Sequence, residues 1–233
     1  MAKENPCSRI VLPERQESEK KIFTIEETQA FLDALDGEPL RYVVFFVLAI
    51  FGGYRREELL GFEFRDFNFT TNVVTVERVS LYDPAHGIFT GPPKTARSHR
   101  SLKLPVWIFD MVKALRAEQS MRRMELGDQW HESGRLFTKL DGSPARPGDF
   151  YDWGKELCER HGLPWDGIHQ FRHLNASLLI ANHTDVRTVS AALGHSQTST
   201  TLNIYSHAFE TAQAEASAGL AAALPVNFGK KKA

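Results

Sequence analysis

Six side chains spread along this sequence have the right types to act together on one phosphate: Arg55, Lys94, His169, Arg172, His195 and Tyr205. A phosphodiester transition state carries negative charge on its non-bridging oxygens. Guanidinium forks bind such oxygens through paired hydrogen bonds and can stand in for a metal. Arg55 and Arg172 are the candidates for that role. A neutral phenol is a weak nucleophile, with an unperturbed pKa of about 10. Nearby positive charge and a proton acceptor would let Tyr205 attack phosphorus and form a covalent phosphotyrosine. His169 is the expected acceptor of that proton, with His173 as second choice. Expelling a sugar 5′-oxygen needs a proton donor, which Lys94 can be. His195 can hydrogen-bond a non-bridging oxygen and orient the phosphate.

The spacing around these residues says how they would be carried. Arg55 lies in GGYRREELLGF, Lys94 in GPPKTARSHRSLKLP, and His169, Arg172 and His173 in GIHQFRHLNASLL. The last stretch is LGHSQTSTTLNIYSH, with His195 ten residues before Tyr205. At about 100° per residue, His169, Arg172, His173 and Ala176 share one helix face, and Phe171, Leu174 and Leu178 the other. One side is therefore expected in the core while the other presents two imidazoles and a guanidinium. The pair His169 and His173 mimics a zinc helix, but Gln170 stands where the metal motif needs Glu, and an Arg between the two would repel a cation. Taken singly, each residue has an ordinary reading: Arg55 in a surface salt bridge, Lys94 a solvated turn lysine, Tyr205 a half-buried aromatic. The ordered combination is far more specific than any member.

That ordered set resembles the catalytic domain of the tyrosine recombinases, the phage-integrase family, over roughly residues 23–208. The TTLNIYSH ending is most similar to integrases of conjugative transposons. The resemblance implies cutting and rejoining of double-stranded DNA at the ends of a mobile element and at its target site, through a 3′-phosphotyrosine on Tyr205 and a free 5′-hydroxyl. It further implies a homotetramer on paired sites and an accessory directionality factor. No metal or nucleotide cofactor is implied, because the phosphotyrosyl bond conserves the energy for rejoining. Glu58 matches an acidic position that braces the site, and His173 is a supporting residue. Arg97, His99 and Arg100, downstream of Lys94, are expected to bind DNA. Two departures stand out: Arg56 occupies a place commonly hydrophobic in the family, and the His195 to Tyr205 gap is one residue longer than in many relatives. The family normally carries an N-terminal helical core-binding domain. This chain opens on what looks like the interdomain linker, NPCSRIVLP, so an isolated catalytic domain is expected. Two alternatives predict different outcomes. A type IB topoisomerase-like enzyme would relax DNA by the same chemistry without exchanging partners. A non-catalytic DNA-binding module would be indifferent to Tyr205→Phe.

Composition bounds these readings. Lys and Arg number 28 against 29 Asp and Glu, a net charge of −1. A dedicated DNA-binding domain usually has a basic excess, so only the distribution of charge, such as the run from Lys94 to Lys103, can favour DNA. With 42% apolar and 11% aromatic residues the chain can bury a real core. Cys7 and Cys158 stand far apart with no CxxC, which points to a reduced, cytoplasmic protein without structural zinc. The longest apolar run, Val43 to Phe51, is well short of the ~20 residues that span a bilayer, and no membrane association is expected.

The elements that must position the chemistry follow from periodicity and caps. A capping box at Thr24 and Glu27 opens an amphipathic helix. Pro39 opens a helix that is apolar nearly all round, and Gly52-Gly53 breaks it in front of Arg55. Val73 to Val79 reads as a strand, with partners at Ile88-Phe89 and Ser101 to Leu104. Helices are expected from Val106 to about Leu126, Asp149 to Arg160, His169 to about Ala181, Val186 to Leu193, and around Thr200 to Ala208. The expected fold is mainly α with a small antiparallel β-sheet. The expected division is a linker or arm at 1–22, a catalytic domain at 23–208, and a tail at 209–233 that could form a docking helix.

Overall fold

The structure, a computed structural model, describes residues 23–224. The expected linker, Cys7 and the end of the tail lie outside the described residues.

Among the described residues, eight α-helices and five short strands are formed. They are α1 (Ile25–Ala34), α2 (Leu40–Gly52), α3 (Arg56–Gly61), β1 (Phe67–Asn68), β2 (Val73–Thr75), β3 (Val79–Asp83), β4 (Gly87–Gly91), β5 (Ser101–Lys103), α4 (Val106–Leu126), α5 (Pro147–His161), α6 (His169–Ala181), α7 (Val186–Leu193) and α8 (Thr198–Ala223). The capping box at α1 closes in both directions: the Glu27 amide donates to the Thr24 hydroxyl, and the Thr24 amide to the Glu27 carboxylate.

The apolar helix α2 is the centre of the fold. Val44, Phe45, Phe46, Val47, Leu48, Ala49 and Ile50 are all buried, as a helix without a polar face must be. It packs against α4 and α6. Aromatic rings fill the space around it: Phe45 stacks on Phe150 with centroids 4.1 Å apart, and Phe46 meets Phe31 and Phe171 edge-on. Such offset and edge-to-face pairs suit the ring quadrupoles. A second, smaller cluster of Ala176, Ile180, Val189, Leu193 and Tyr205 lies apart from this core, covered by Leu179, Ala208, Phe209 and Ala212. The proposed nucleophile therefore belongs to a satellite core made by α6, α7 and α8.

Two points differ from the sequence expectation. Val73 to Val79 is not one strand, and the sheet is not single. β2 pairs antiparallel with β1 and β5, whereas β3 and β4 form a separate hairpin. The break falls at Arg78, whose guanidinium turns to Asp66 and Glu63, at 2.5 and 3.5 Å. The last helix also runs on without stopping at Ala208, to Ala223, with one non-helical residue inside it, Tyr205 (φ −119°, ψ 23°). Among the described residues no helix is long and apolar enough to cross a membrane.

Candidate active site

Arg55 is delivered by a helix break. The amide of Gly53, in the left-handed region at φ 57°, donates to Ala49 and ends α2. Two residues later Arg55 caps α3, and the Glu58 carboxylate reaches back to accept from the Arg55 amide at 2.9 Å. The Arg55 side chain donates to the same carboxylate at 2.8 Å and keeps 32% of its surface exposed. It is both anchored and accessible.

Glu58 is 1% exposed and is the hub of the site. Besides Arg55, it accepts a two-pronged grip from Arg100, Nη1 to Oε1 at 3.0 Å and Nη2 to Oε2 at 2.9 Å. Burial alone would push the carboxyl pKa up, but the hydrogen bonds and charge of Arg100, with those of Arg55, bring it below the ordinary value. Arg100, expected from sequence to bind DNA, turns its guanidinium inward to Glu58 in the fold. It is 8% exposed, braces Glu58, and also donates to the carbonyls of Ala192 and Ser98, so its guanidinium is committed to the protein. A carboxylate buried this deeply needs a full countercharge, and Arg100 supplies it.

Arg172 is likewise buried, at 2% exposure, and not presented on an open face as the helical wheel of α6 implied. It donates to the carbonyls of Gly53 and Leu193. Burial and the neighbouring charge of Arg55 pull its pKa down to about 9, which still leaves it cationic at neutral pH. Three guanidiniums thus take three consecutive carbonyls at the end of α7: Arg100 on Ala192, Arg172 on Leu193, and Arg55 on Gly194 at 3.4 Å. A helix C-terminus offers unsatisfied carbonyls and partial negative charge, so it can gather cations that would otherwise repel one another.

Of the two histidines on α6, His173 is half-buried and His169 exposed. The first choice from sequence, His169, is not the one that meets the tyrosine: Nδ1 of His173 lies 2.8 Å from the Tyr205 hydroxyl. The His169 ring sits edge-on to His173, with centroids 5.1 Å apart. The i, i+4 spacing that puts both on one face also places them a helical turn apart, and only the second reaches the level of α8. Tyr205 is 5% exposed, and burial pushes its pKa up to about 12, with the charge of Arg172 acting the other way.

His195 follows Gly194, whose φ of 65° ends α7. Its Nδ1 is 2.8 Å from the hydroxyl of Thr201, a fully buried residue in the first turn of α8 that sequence reading passed over. Burial and the charges of Arg172, Arg55 and Arg100 push the His195 pKa down to about 4, so the ring is neutral at physiological pH. Lys94 is exposed, on the loop after β4, and with Arg55, Glu58, His195 and Thr200 it lines a cleft of ≈ 590 Å³. Lys94, Arg55 and His195 are therefore brought together along the cleft, while Tyr205, in the satellite core, meets His173. Arg97 and His99 stay exposed: Arg97 donates to the Ser196 carbonyl at 2.7 Å and His99 pairs with Glu77. Among the described residues no group of three or more His, Cys, Asp or Glu is placed to hold a metal ion.

A profile of the phage integrase family matches residues 21–212. The chain is 31% identical over 220 residues to a tyrosine recombinase XerC-like protein of Caldanaerobacter subterraneus, covering 87% of this chain and 56% of that protein. It is 25% identical over 213 residues to the ICEBs1 integrase of Bacillus subtilis, covering 91% and 57%. The chain thus spans a little over half the length of these relatives. Among solved structures, the Tn1549 transposon integrase in complex with transposon right end DNA superposes with a TM-score of 0.75 at 22% identity, covering 92% of this chain and 71% of that one. The XerA recombinase superposes with a TM-score of 0.66 at 15% identity, covering 90% and 66%. At these identities the likeness to solved structures establishes the fold.

Proposed function

The chain belongs to the phage integrase family, and on that premise we propose that residues 23–208 are the catalytic domain of a site-specific DNA recombinase of a mobile element. Tyr205 attacks the scissile phosphate, the phosphorus bond to the 5′-oxygen breaks, and a 3′-phosphotyrosine with a free 5′-hydroxyl results. The single observation that carries this reading is the contact of a buried phenol with an imidazole, 2.8 Å from oxygen to Nδ1, beside a buried guanidinium.

The geometry supports a role for each group. With its pKa near 12, the Tyr205 phenol holds its proton at neutral pH, so attack requires an acceptor, and His173 is within reach. Arg55 is open to the non-bridging oxygens, and Arg172, buried with both Nη atoms on backbone carbonyls, adds its charge to match the charge that develops. His195 is neutral, and Thr201 engages its Nδ1. If that nitrogen accepts from the Thr201 hydroxyl, Nε2–H becomes the donor to a phosphate oxygen. Lys94, across the cleft, gives its proton to the departing 5′-oxygen. Glu58 touches no reacting atom in this scheme; it holds Arg55 in place. These groups account for the chemistry without a metal or nucleotide.

Double-stranded DNA is the proposed partner. Arg97 and His99 remain exposed beside the cleft, whereas Arg100 does not. Beyond Ala212 every residue of α8 is exposed, which suits docking on a neighbouring copy in a tetramer on paired sites. An accessory directionality factor would complete the assembly.

The experiment is covalent trapping on a nicked duplex carrying the end of the element, followed by a denaturing gel. An adduct that disappears in Tyr205→Phe supports the reading. An adduct that survives that substitution removes Tyr205 as nucleophile. DNA binding with no adduct, from this chain or from one extended at its N-terminus, leaves only a binding module.

A further inference from the structure

Arg135 lies in none of the stretches that carry the chemistry, yet it is 5% exposed. Its segment runs beside the end of α3: the Leu136 amide donates to Phe62 at 2.8 Å, and Glu63 and Arg135 form an isolated antiparallel bridge. From there its guanidinium reaches in two directions, Nη1 donating to the Gly61 carbonyl and Nη2 to the Thr90 hydroxyl. Both acceptors are neutral; the carboxylates of Glu63 and Asp66 offset part of the cost of burying the charge but take no hydrogen bond from it, since they pair with Arg78. What they share is their place in the fold. Gly61 is the last residue of α3, the helix that opens at Arg55. Thr90 lies in β4, four residues before Lys94.

The two elements are in close contact. A Cβ at Gly61 would meet the Arg78 carbonyl at 2.6 Å, so α3 touches the β3–β4 hairpin through its backbone. Between Thr90 and Lys94 stand Gly91, Pro92 and Pro93. Proline rings fix φ, so the position of β4 is passed to Lys94 with little slack.

We propose that Arg135 is a positioning residue for Lys94: by tying the end of α3 to β4, it sets where the ammonium stands relative to Arg55. This rests on the reading of Lys94 as the proton donor to the departing 5′-oxygen. The clamp joins two elements that each carry one part of the machinery, and neither of its two acceptors is a group that meets the phosphate.

The experiment measures adduct formation on two nicked duplexes that differ in one atom, oxygen or sulfur bridging to the 5′-carbon at the scissile phosphate. When the phosphorus–oxygen bond breaks, the oxygen leaves with the electron pair and needs a proton. Sulfur leaves as a thiolate and needs none, because thiols are far more acidic than alcohols. Lys94→Ala, slow on oxygen and restored on sulfur, is the reference. Thr90→Val removes the hydroxyl while keeping a β-branched shape suited to a strand. Arg135→Met removes the guanidinium, with circular dichroism to follow folding. Both are expected to slow the oxygen substrate by about 10–100-fold, the loss that a displacement of about 1 Å can cause, and to recover on sulfur. If Lys94→Ala recovers on sulfur while these two stay slow, or if neither is slow on oxygen, the inference is overturned and the Lys94 reading stands. If Lys94→Ala itself stays slow on sulfur, the reading of Lys94 falls and the inference falls with it.

Discussion

The Tyr205 hydroxyl and Nδ1 of His173 are 2.8 Å apart, joined across two helices from positions 32 residues apart in the chain. Tyr205 reaches this contact because its backbone leaves helical geometry within α8, at φ −119° and ψ 23°. That combination lies near the sparsely populated bridge between the helical and extended regions, where many active-site residues sit. The kink lets the phenol turn into the satellite core, toward α6, instead of following the helix surface.

His173→Gln should slow covalent adduct formation by about 10²–10⁴-fold, the range for a positioned general base. His169→Gln should cost much less, because its ring meets His173 and not the phenol. Single-turnover cleavage rates for the two variants decide between the histidines: a larger loss for His169 would reverse the assignment.

Glu58→Gln should destabilise the domain by about 3–5 kcal/mol at neutral pH, as expected when a buried ion pair loses one partner. The sign of its pH dependence follows from linkage. The folded-state pKa of Glu58 lies below the ordinary 4.5, so its contribution is complete above about that pH and is lost as the pH falls through the folded value. The stability gap between the unsubstituted protein and Glu58→Gln should therefore narrow in acid. Urea unfolding at pH 7 and at pH values below 4.5 measures it; a gap that widens would contradict the burial and pairing of this carboxylate.

Arg97 and Arg100 are three positions apart but should behave as different kinds of residue. Arg97→Ala should lower DNA affinity and reduce the slope of log K against log[salt] by about 1, one phosphate contact. Arg100→Met should leave the slope unchanged and lower stability by about 3 kcal/mol or more. Fluorescence anisotropy across a salt series, with unfolding curves for both, separates them.

Gly194→Ala should cost about 1–3 kcal/mol, since a non-glycine residue there must hold a left-handed backbone. An added Cβ would also stand 2.9 Å from the Arg100 guanidinium. The three-arginine grip on the end of α7 would shift, so adduct formation should fall more than stability alone explains. Cleavage rates at temperatures where the variant remains folded test this point.

Much of the architecture was legible along the chain because it depends on local rules. The break at Gly52-Gly53, the bounds of α4 and α7, and the buried character of α2 all follow from caps, glycine and periodicity. The split of the expected strand at Arg78 did not, since the side chain turns to partners at Glu63 and Asp66, and no pattern of alternation encodes that choice.

The candidate site divides in the same way. By itself the sequence determined which residue types are present and in what order: two arginines, a lysine, two histidines on one helix, the Gly194-His195 pair and a tyrosine, enough to identify the family. Tertiary structure alone decided which of those groups meet. It selected His173 over His169 as the neighbour of Tyr205, buried Arg100 against Glu58 when its place in a basic run suggested a DNA contact, and brought Thr201 to His195 and Arg135 to Thr90. The physical reason is that a spacing rule ranks residues on one helix face, whereas contact across helices depends on depth and kink. A charged side chain goes where a buried countercharge or an open helix end must be satisfied, and those lie far away in the chain.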